Sequence, residues 1–396
     1  MTPTNFCTMP FNSLEVSPDG TCKVCCKIQT DIKKTNTQYF NVMKDDINDI
    51  WHSVDLQLLR KKFLKNERPE ECRLCWTEEE SNVKSLRQQT LYGIVDLENP
   101  KITYLSLKLS NKCNLACRIC SPHLSSLWQS QFKKLNIDLQ PAEMFKTIDL
   151  EKFQDGRLDS LHKLSDNLHQ LLIYGGEPLI NDEVINYLEY LSKSGISKNI
   201  QLTLNTNGTV YSEKLISIFR NFKFVDLFLS IDDVDKRFEY QRWPAKWDKI
   251  SDNIQNYAKL GGNIKVEFYP SMSVLNILNI EETLTKLSTY NIPITFNNII
   301  HDPRVLSLRN LPKEHKTALI EKLEAIDFSN FNFNNTYTDA KDALIRFIKL
   351  DNDDGLDLTA TEFLNRFNQH MDMHDKFRHT ELKDYIPDLW NLLNGN

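Results

Sequence analysis

The sequence predicts an α/β fold: an open, partial (βα)6 barrel, with a small cysteine-rich N-terminal domain and a helical C-terminal extension. Three observations lead to this prediction. Short apolar runs alternate with amphipathic helical patterns between about 100 and 300, all nine cysteines precede that region or lie at its start, and a helical period dominates after residue 310. We therefore expect domains over residues 1–95, 96–305 and 306–396.

The barrel prediction rests on six β-rich runs with helical patterns between them. The runs are "ITYLSLKL", "QLLIY", "IQLTL", "FVDLFLS", "IKVEFY" and "IPITF". Repeated strand–helix units with right-handed crossovers give a parallel sheet that carries its helices on the outer face. Because a closed barrel of this type needs eight strands, six strands predict an open one.

Composition and charge restrict the classes of function. The chain of 396 residues has a formal net charge of −6, which argues against a nucleic-acid partner. Its first residues lack a basic segment followed by an apolar run, and no window has the length of a membrane span. We therefore expect a cytoplasmic protein, in which nine cysteines would bind metal rather than form disulfides.

The N-terminal domain has few periodic elements beyond a helix predicted around "WHSVDLQLLRKKFL", so metal rather than a large core would stabilise it. Its pairs Cys22-x2-Cys25 and Cys72-x2-Cys75 are typical of a four-thiolate zinc ribbon, which is one interpretation. The stretch "SLEVSPDGTCKVCC" predicts a hairpin with an Asp-Gly turn, whose return strand brings cysteines towards Cys7.

The stretch "LSNKCNLACRICSPH" places Cys113, Cys117 and Cys120 just after the first barrel strand, at the carboxyl edge of the sheet where such barrels carry their chemistry. Three thiolates on one short loop can hold three irons of a four-iron cluster, which leaves the fourth iron open. Zinc with His123 as a further ligand, or three unligated thiols, is the alternative.

"CNLACRIC" resembles the cysteine signature of the radical S-adenosylmethionine (SAM) enzymes. The resemblance implies that Cys113, Cys117 and Cys120 bind a [4Fe–4S] cluster and act as the catalytic residues, with SAM at the open iron. It covers roughly residues 100 to 300.

Four further motifs, each after a predicted strand, are similar to the SAM-contacting segments of that family. They are "YGGEP", "NTNGT", "SIDD" followed by "YQRWPAKW", and "MSVLN". The SAM contacts that the resemblance implies are Gly175, Gly176, Glu177, Pro178, Asn205, Asn207, Ser230, Asp232, Arg242 and Asn276. The alternatives are turn or cap chemistry for the small polar residues and a surface ion pair for Arg242.

The N-terminal cysteines resemble the SPASM/twitch domains that accompany many radical SAM enzymes. This resemblance implies an auxiliary [4Fe–4S] cluster on four metal ligands, Cys7, Cys25, Cys72 and Cys75. Cys22 and Cys26 are left over, and their closeness to Cys25 leaves the ligand choice open. Relatives usually carry this domain after the barrel, whereas here it comes first.

The resemblance implies an oxidoreductase-type enzyme that reductively cleaves SAM to a 5′-deoxyadenosyl radical, which abstracts hydrogen from a substrate. We expect oxidation or cross-linking of a peptide or protein side chain, helped by the auxiliary cluster. Dehydrogenation of a small sugar-like alcohol and peptide epimerisation are alternatives, and a non-catalytic binding protein with a structural zinc domain is an alternative of another class. An electron donor such as flavodoxin or ferredoxin is the implied protein partner.

The motifs that follow the predicted strands are expected to surround one cavity. Two other segments, the insertion at about 124–168 and the helical tail, are expected to cover it. Within the tail, His370 and His374 are four residues apart, and we interpret them as helix surface rather than as a metal pair.

Overall fold

The computed structural model describes residues 4–17, 19–80, 84–90, 95–108, 110–122, 124–134, 162, 164–165, 167–296, 298–334, 337–351 and 358–394. The chain forms two compact units. The first unit comprises Met1–Asn111, Lys146–Leu204 and Glu213–Asp226, and the second comprises Lys112–Phe145, Asn205–Ser212 and Leu227–Asn396. The three domains expected from the sequence, with their two boundaries, stay predictions.

The strands, in chain order, are β1 (Ser13–Val16), β2 (Cys22–Lys23), β3 (Tyr104–Leu107), β4 (Gln170–Ile173), β5 (Gln201–Thr206), β6 (Phe224–Leu229), β7 (Ile264–Phe268), β8 (Ser271–Met272) and β9 (Asn298–Ile299). Seven of them form one sheet of order β2-β1-β3-β4-β5-β6-β7, and β8 pairs with β9. The pairs β1–β3, β3–β4 and β4–β5 are parallel. The predicted α/β fold with a mainly parallel sheet is therefore confirmed.

The helices, in chain order, are α1 (Met9–Asn12), α2 (Ile47–Trp51), α3 (Val54–Leu64), α4 (Arg73–Glu80), α5 (Leu86–Thr90), α6 (Ser126–Lys134), α7 (Asp182–Lys193), α8 (Glu213–Phe219), α9 (Asp235–Gln241), α10 (Trp247–Tyr257), α11 (Ile280–Ser288), α12 (Lys313–Ala325), α13 (Tyr337–Lys349), α14 (Ala360–Arg378), α15 (Leu382–Tyr385) and α16 (Pro387–Asn394). No helix in the described ranges is long and apolar enough to cross a membrane.

The predicted N-terminal hairpin is present. β1 and β2 are antiparallel, with Val16 opposite Cys22, and the turn between them is closed by a hydrogen bond from the Gly20 amide to the Ser17 carbonyl. Gly20 has a φ of +82°, and a Cβ at this position would collide with the side chain of Asn41. Only glycine fits this turn, which directs Cys22 and the following cysteines back along β1.

The first strand of the hairpin also joins the barrel sheet. β1 pairs in parallel with β3, and Glu15 lies opposite Ser106. All four residues of β1 are buried, as expected for a strand covered on both faces. The N-terminal cysteine-rich segment was predicted to be separate from the barrel. The hairpin of this segment instead extends the sheet beyond the first barrel strand.

The sixth predicted strand, "IPITF", is not a regular strand. Ile294 forms isolated bridges with Phe268 and Phe333, and the carbonyl of Pro293 accepts a hydrogen bond from the Phe268 amide. Proline has no N–H to donate, which prevents a continuous ladder at this position. The apolar pattern therefore identified a buried edge of the sheet but not a complete strand.

The C-terminal region is helical, as predicted, and α14 is its longest described helix. Thr359 and Glu362 form a capping box at the start of α14. His374 is buried, together with Phe363, Phe367, Met371 and Arg378. The interpretation of His374 as helix surface is therefore wrong, because the buried stripe of α14 continues through it; His370 is half-buried.

Candidate active site

The cysteine loop that follows β3 in the sequence lies in the second unit. Its backbone is held by neighbouring chain: the amide of Ala116 donates to the carbonyl of Trp243 at 2.7 Å, and the amide of Arg118 donates to that of Gln241 at 2.8 Å. A tight turn brings the Cys120 amide to the Cys117 carbonyl. These contacts fix the path of the loop without using any thiol.

Two thiols of this loop, those of Cys117 and Cys120, have pKa values shifted in opposite directions. A hydrogen bond from the Cys120 thiol lowers the pKa of Cys117, and the guanidinium of Arg242 acts in the same direction against burial. The same hydrogen bond, followed by burial, raises the pKa of Cys120. The pair therefore favours one thiolate at Cys117, the protonation state that metal ligation requires.

The loop after β5 contacts the cysteine loop through side-chain amides. Asn207 donates to the Asn114 side chain at 3.0 Å and approaches the Cys113 sulfur at 3.9 Å. Asn114 in turn donates to Thr209 at 2.9 Å, and Asn207 accepts from the Thr209 amide. Asn114 and Thr209 were not predicted as site residues, although both lie within the quoted motifs.

Three of the predicted SAM contacts form one buried network. Arg242 donates to Asp232 at 2.7 Å, and its Nη1 lies 3.9 Å from the Cys117 sulfur. Burial alone would lower the pKa of Arg242, but Asp232 and Cys117 raise it above its usual range. Arg242 is 6% exposed, so the alternative of a surface ion pair is wrong: the pair exists, but it is buried.

Asn276 is fully buried and its amide is used within the chain. It donates to the carbonyls of Asp232 and Ser271 and accepts from the amide of Ser273. This bonding favours the turn role over the predicted adenosine contact. Asn205 lies inside β5, and Ser230, half-buried, follows β6 and donates its amide to the Thr206 carbonyl.

The "YGGEP" motif follows β4 and lies in the first unit. Gly175 and Gly176 have φ values of +89° and +58°, in the left-handed region that favours glycine, and a Cβ on Gly175 would lie 3.4 Å from the Lys108 side chain. Glu177 is 1% exposed and accepts from the amide of Leu179 as a short turn begins at Pro178. The two glycines are therefore required by the backbone, independently of any ligand.

The first unit gathers Cys7, Cys25, Cys72 and Cys75. Burial raises the pKa of Cys7 to about 12, and Cys75 is among its charged neighbours. Burial also raises the pKa of Cys72, for which Cys7 and Cys75 are the next two causes. Burial raises the pKa of Cys25 well above its usual value, and Cys26 and Cys7 raise it further. Electrostatic influences therefore link Cys7 to each of the other three predicted ligands.

The two remaining cysteines have other surroundings. The thiol of Cys22 donates to the Gly20 carbonyl at 3.7 Å, inside the hairpin. Cys26 is exposed, and Glu15 is the charged group with the largest influence on its thiol. Glu15 accepts from Lys108 at 3.1 Å and from Tyr174 at 2.8 Å. Among Cys22, Cys25 and Cys26, it is Cys25 whose pKa has Cys7 among its three largest influences, which favours Cys25 as the partner of Cys7.

A group of side chains around the cysteine loop was not predicted from the sequence. Arg118, between two cysteines, is fully buried; it pairs with Asp375 and lies 3.6 Å from the ring centroid of Tyr240. Trp128 donates its indole N–H to the Cys117 carbonyl at 2.7 Å. No spacing in the sequence marks these residues, because the partners of Arg118 lie more than a hundred residues away along the chain.

The residues present fit iron–sulfur clusters. Thiolates are the usual cluster ligands, and the triplet offers three while the first unit offers four. Among the described residues, no group of three or more Cys, His, Asp and Glu side chains converges as a single metal ion requires. A cluster binds each thiolate through a different iron, so its ligands need not converge on one point. Outside the described residues lie His123 and most of the insertion at 124–168.

Comparisons with known proteins agree with these two sets of cysteines. The model of the radical SAM superfamily matches residues 107–287, and that of the SPASM iron–sulfur cluster-binding domain matches residues 7–76. The second match lies before the first in the chain, as expected from the sequence.

Curated relatives match less than half of the chain. "Molybdenum cofactor biosynthesis protein 1" of Dictyostelium discoideum is 29% identical over 178 residues, which is 44% of this chain and 25% of that protein. "GTP 3′,8-cyclase" of Aliarcobacter butzleri is 24% identical over 183 residues, which is 46% of this chain and 50% of that protein. The chain thus spans half or less of the length of these relatives.

Solved structures with some similarity include Streptococcus suis SuiB bound to S-adenosylmethionine, at 14% identity and a TM-score of 0.36, over 85% of this chain and 59% of that one. Another is anSMEcpe with bound AdoMet, at 17% identity and a TM-score of 0.39, over 59% and 63%. These scores are too low to support a functional conclusion. The two family models carry the assignment: the chain contains a radical SAM domain preceded by an iron–sulfur SPASM domain, and the cofactors of these domains are S-adenosylmethionine and [4Fe–4S] clusters.

Proposed function

We propose that this protein is a radical SAM oxidoreductase that oxidises or cross-links a side chain of a peptide or protein. Cys113, Cys117 and Cys120 would hold the SAM-binding cluster. A second cluster would be held by the N-terminal set of Cys7, Cys25, Cys72 and Cys75. The observation that carries the proposal is the presence of these two thiol sets, three in one unit and four in the other.

When bound, the first cluster and SAM supply a carbon-centred radical able to take hydrogen from an unactivated carbon. The chain's own task is to hold the ligands and to keep water away from them. Asn207 has its side-chain nitrogen 3.9 Å from the Cys113 sulfur, and Arg242 has Nη1 3.9 Å from the Cys117 sulfur. Each would donate a hydrogen bond to that sulfur. The polar contacts of Asn114 and Thr209 would keep the two loops in register.

The N-terminal set would act in electron transfer. Removal of one hydrogen atom from a substrate carbon leaves a radical, and oxidation to a closed-shell product requires the loss of one more electron. Four thiolates occupy all four irons of a cubane, which leaves no open iron for a substrate. The set is therefore suited to accept that electron rather than to bind a substrate.

The choice of a peptide over a nucleoside triphosphate rests on charge. Two of the arginines in the second unit are committed to carboxylates: Arg242 to Asp232, and Arg237 to Asp233 and Glu282. The chain as a whole carries a net charge of −6. These properties favour a substrate without a polyphosphate, although curated relatives include GTP 3′,8-cyclases. Dehydrogenation of a small alcohol is compatible with the same chemistry.

Peptide epimerisation is the second candidate, because one observation favours it. Cys26 is an exposed thiol beside the buried Glu15, apart from the proposed ligand set. Such a thiol would return a hydrogen atom to a substrate radical, and a reductant would then be needed to restore it. A reducing, cytoplasmic setting and a one-electron donor such as flavodoxin or ferredoxin belong to both proposals.

The test uses the full chain, reconstituted anaerobically with iron and sulfide and reduced with dithionite in the presence of SAM. A digest of uniformly deuterated protein serves as the peptide probe, and GTP is the competing probe. We expect deuterium in 5′-deoxyadenosine with the digest and no stimulation of its formation by GTP. Stimulation by GTP alone would contradict the peptide assignment. No 5′-deoxyadenosine in any condition would contradict the enzyme and favour a non-catalytic binding protein.

A further inference from the structure

The cysteine loop is held from one side by the C-terminal helix α14. Arg378, in the last turn of α14, donates to the Ala116 carbonyl at 2.6 Å, and the ring of His370 lies 3.4 Å from the Arg118 carbonyl. Asp375, between them in sequence, pairs with Arg118. Three residues of one helix thus contact the segment that carries Cys117.

Arg378 is a buried cation without a matching anion. It is 8% exposed, and no carboxylate lies within ion-pair distance of it in the ranges that the structure describes. The nearby Asp375 is already occupied, because one of its oxygens accepts from Arg118 and the other from the Tyr240 hydroxyl. Beyond Ala116, the contacts of Arg378 are the Gln131 side chain at 3.2 Å and the ring of Trp243.

Two nitrogens of Arg378 are unused. Nε and Nη1 are buried and have no hydrogen-bond partner among the described residues. An unpaired buried guanidinium costs several kcal/mol, roughly, unless an anion compensates it. The other two buried arginines around the loop, Arg118 and Arg242, each have a carboxylate partner. Around this loop, one positive charge therefore remains uncompensated by carboxylates.

Arg378 contacts the chain directly beside a proposed cluster ligand, because the carbonyl to which it donates belongs to Ala116, the residue before Cys117. Burial and Arg118 lower the pKa of Arg378 to about 9, and Cys117 and then Asp375 are the largest influences that act against this lowering. His374 does not share this role. Burial and the neighbouring arginines lower its pKa below the usual range, so it stays neutral.

We propose that Arg378 is the counter-ion of the cluster on Cys113, Cys117 and Cys120, and that its charge raises the reduction potential of this cluster. The inference rests on the proposed function of that triplet. Reduction adds one electron, and hence one negative charge, to the cluster, and the donor supplies no proton. A fixed positive charge in a low-dielectric site stabilises the reduced form more than the oxidised form.

The C-terminal region thereby becomes part of the redox centre. Without the guanidinium, an electron donor of a given potential would reduce a smaller fraction of the clusters. Arg378 does not touch SAM or the substrate in this account. It is a positioning and tuning residue, which acts through the cluster ligands.

The test is an anaerobic redox titration of the reconstituted full chain, followed by electron paramagnetic resonance. The SAM-binding cluster is identified by the signal that changes when SAM is added. The variants are Arg378→Met, which removes the charge and keeps the length, Arg378→Lys, which keeps the charge, and Arg366→Met, an exposed position on the same helix, as the control. Iron per chain is measured for each variant.

We expect a more negative midpoint potential in Arg378→Met than in Arg366→Met, with Arg378→Lys close to the unchanged protein. Loss of cluster iron in Arg378→Met but not in Arg378→Lys would also support the counter-ion role. An unchanged midpoint in Arg378→Met at full iron content would overturn it. Equal loss of iron in both Arg378 variants would assign a geometric role only and overturn the electrostatic one. Failure of the proposed function is distinguishable, because no signal would then respond to SAM in the unchanged protein.

Discussion

The two cysteine sets differ in the charges around them. In the second unit, Cys117 lies near Arg242 and Arg378, and its pKa is lowered. In the first unit, burial is the largest influence on Cys7 and Cys72, and it raises the pKa of both thiols. Cysteine is the proposed ligand in both sets, but the surroundings shift the pKa of Cys117 in the opposite direction from those of Cys7 and Cys72. In the triplet, the Cys120 hydrogen bond and two arginines favour the thiolate of Cys117, whereas Cys120, Cys7 and Cys72 must each lose a proton to bind a metal.

The largest expected effect separates the two sets by activity. The variant Cys113→Ala, Cys117→Ala, Cys120→Ala should form no 5′-deoxyadenosine, because no open iron remains to bind SAM. A variant with Cys72→Ala and Cys75→Ala should still cleave SAM but lose turnover of the peptide. Chromatographic measurement of 5′-deoxyadenosine and of the modified peptide checks both. Loss of SAM cleavage in the second variant would break the separation of roles.

The second prediction compares a buried ion pair in each unit. Arg242 pairs with Asp232, and Arg87 pairs with Glu79, each with both side chains less than a tenth exposed. Arg242→Met and Arg87→Met should each lower the free energy of unfolding by about 3–5 kcal/mol, because a buried carboxylate is left alone. Urea unfolding measures this.

The control for the ion pairs is Lys246→Met. The Lys246 side chain is 75% exposed and pairs with Glu239. We expect a change within about 0.5 kcal/mol for this variant. An equal loss in all three variants would show that burial is not what makes the two pairs important.

The third prediction concerns pH in the metal-free protein. Burial raises the pKa of Cys7 from 9.0 to about 12. Between those values the native state holds a proton that the unfolded chain has released, so the free energy of unfolding should fall as pH rises through this range. Urea unfolding at pH values from about 8 to about 11 would show this fall, with a smaller slope in Cys7→Ala. Parallel curves for the two proteins would contradict the account.

The smallest expected effect concerns the spare cysteines. Cys22→Ser and Cys26→Ser should keep all of the iron, because neither thiol belongs to the proposed ligand set. Cys25→Ser should lose the iron of the auxiliary cluster. Iron and sulfide analysis of the three purified variants provides the measurement. Loss of iron in Cys26→Ser with full iron in Cys25→Ser would reverse the ligand assignment.

Local patterns predicted much of the fold. The alternation of strands and helices, the Asp-Gly hairpin and the long C-terminal helix were all visible in the sequence, because each depends on residues close together in the chain. The prediction of a sixth strand was wrong. The apolar pattern of that segment is regular, but Pro293 has no N–H and interrupts the ladder of hydrogen bonds. The parallel pairing of β1 with β3 was not predicted, because register between distant segments leaves no local signal.

The cysteines of the site could be predicted from the sequence, but the side chains around them could not, for a related reason. The proposed ligands lie in short sequence motifs, and these motifs predicted the two cysteine sets directly. The side chains that surround them come from far along the chain: Arg378 is 262 residues from the carbonyl that it contacts. His374 was misjudged as surface because one helical face looks polar until its neighbours are known.

The central claim is that one chain carries two clusters on two separate cysteine sets. Iron and acid-labile sulfide should be counted, together with Mössbauer spectra, in the unchanged protein and in the triplet and Cys72/Cys75 variants. The account predicts about eight irons in the unchanged protein and about four in each variant. About four irons and one zinc in the unchanged protein, with the zinc lost in the Cys72/Cys75 variant, would contradict it.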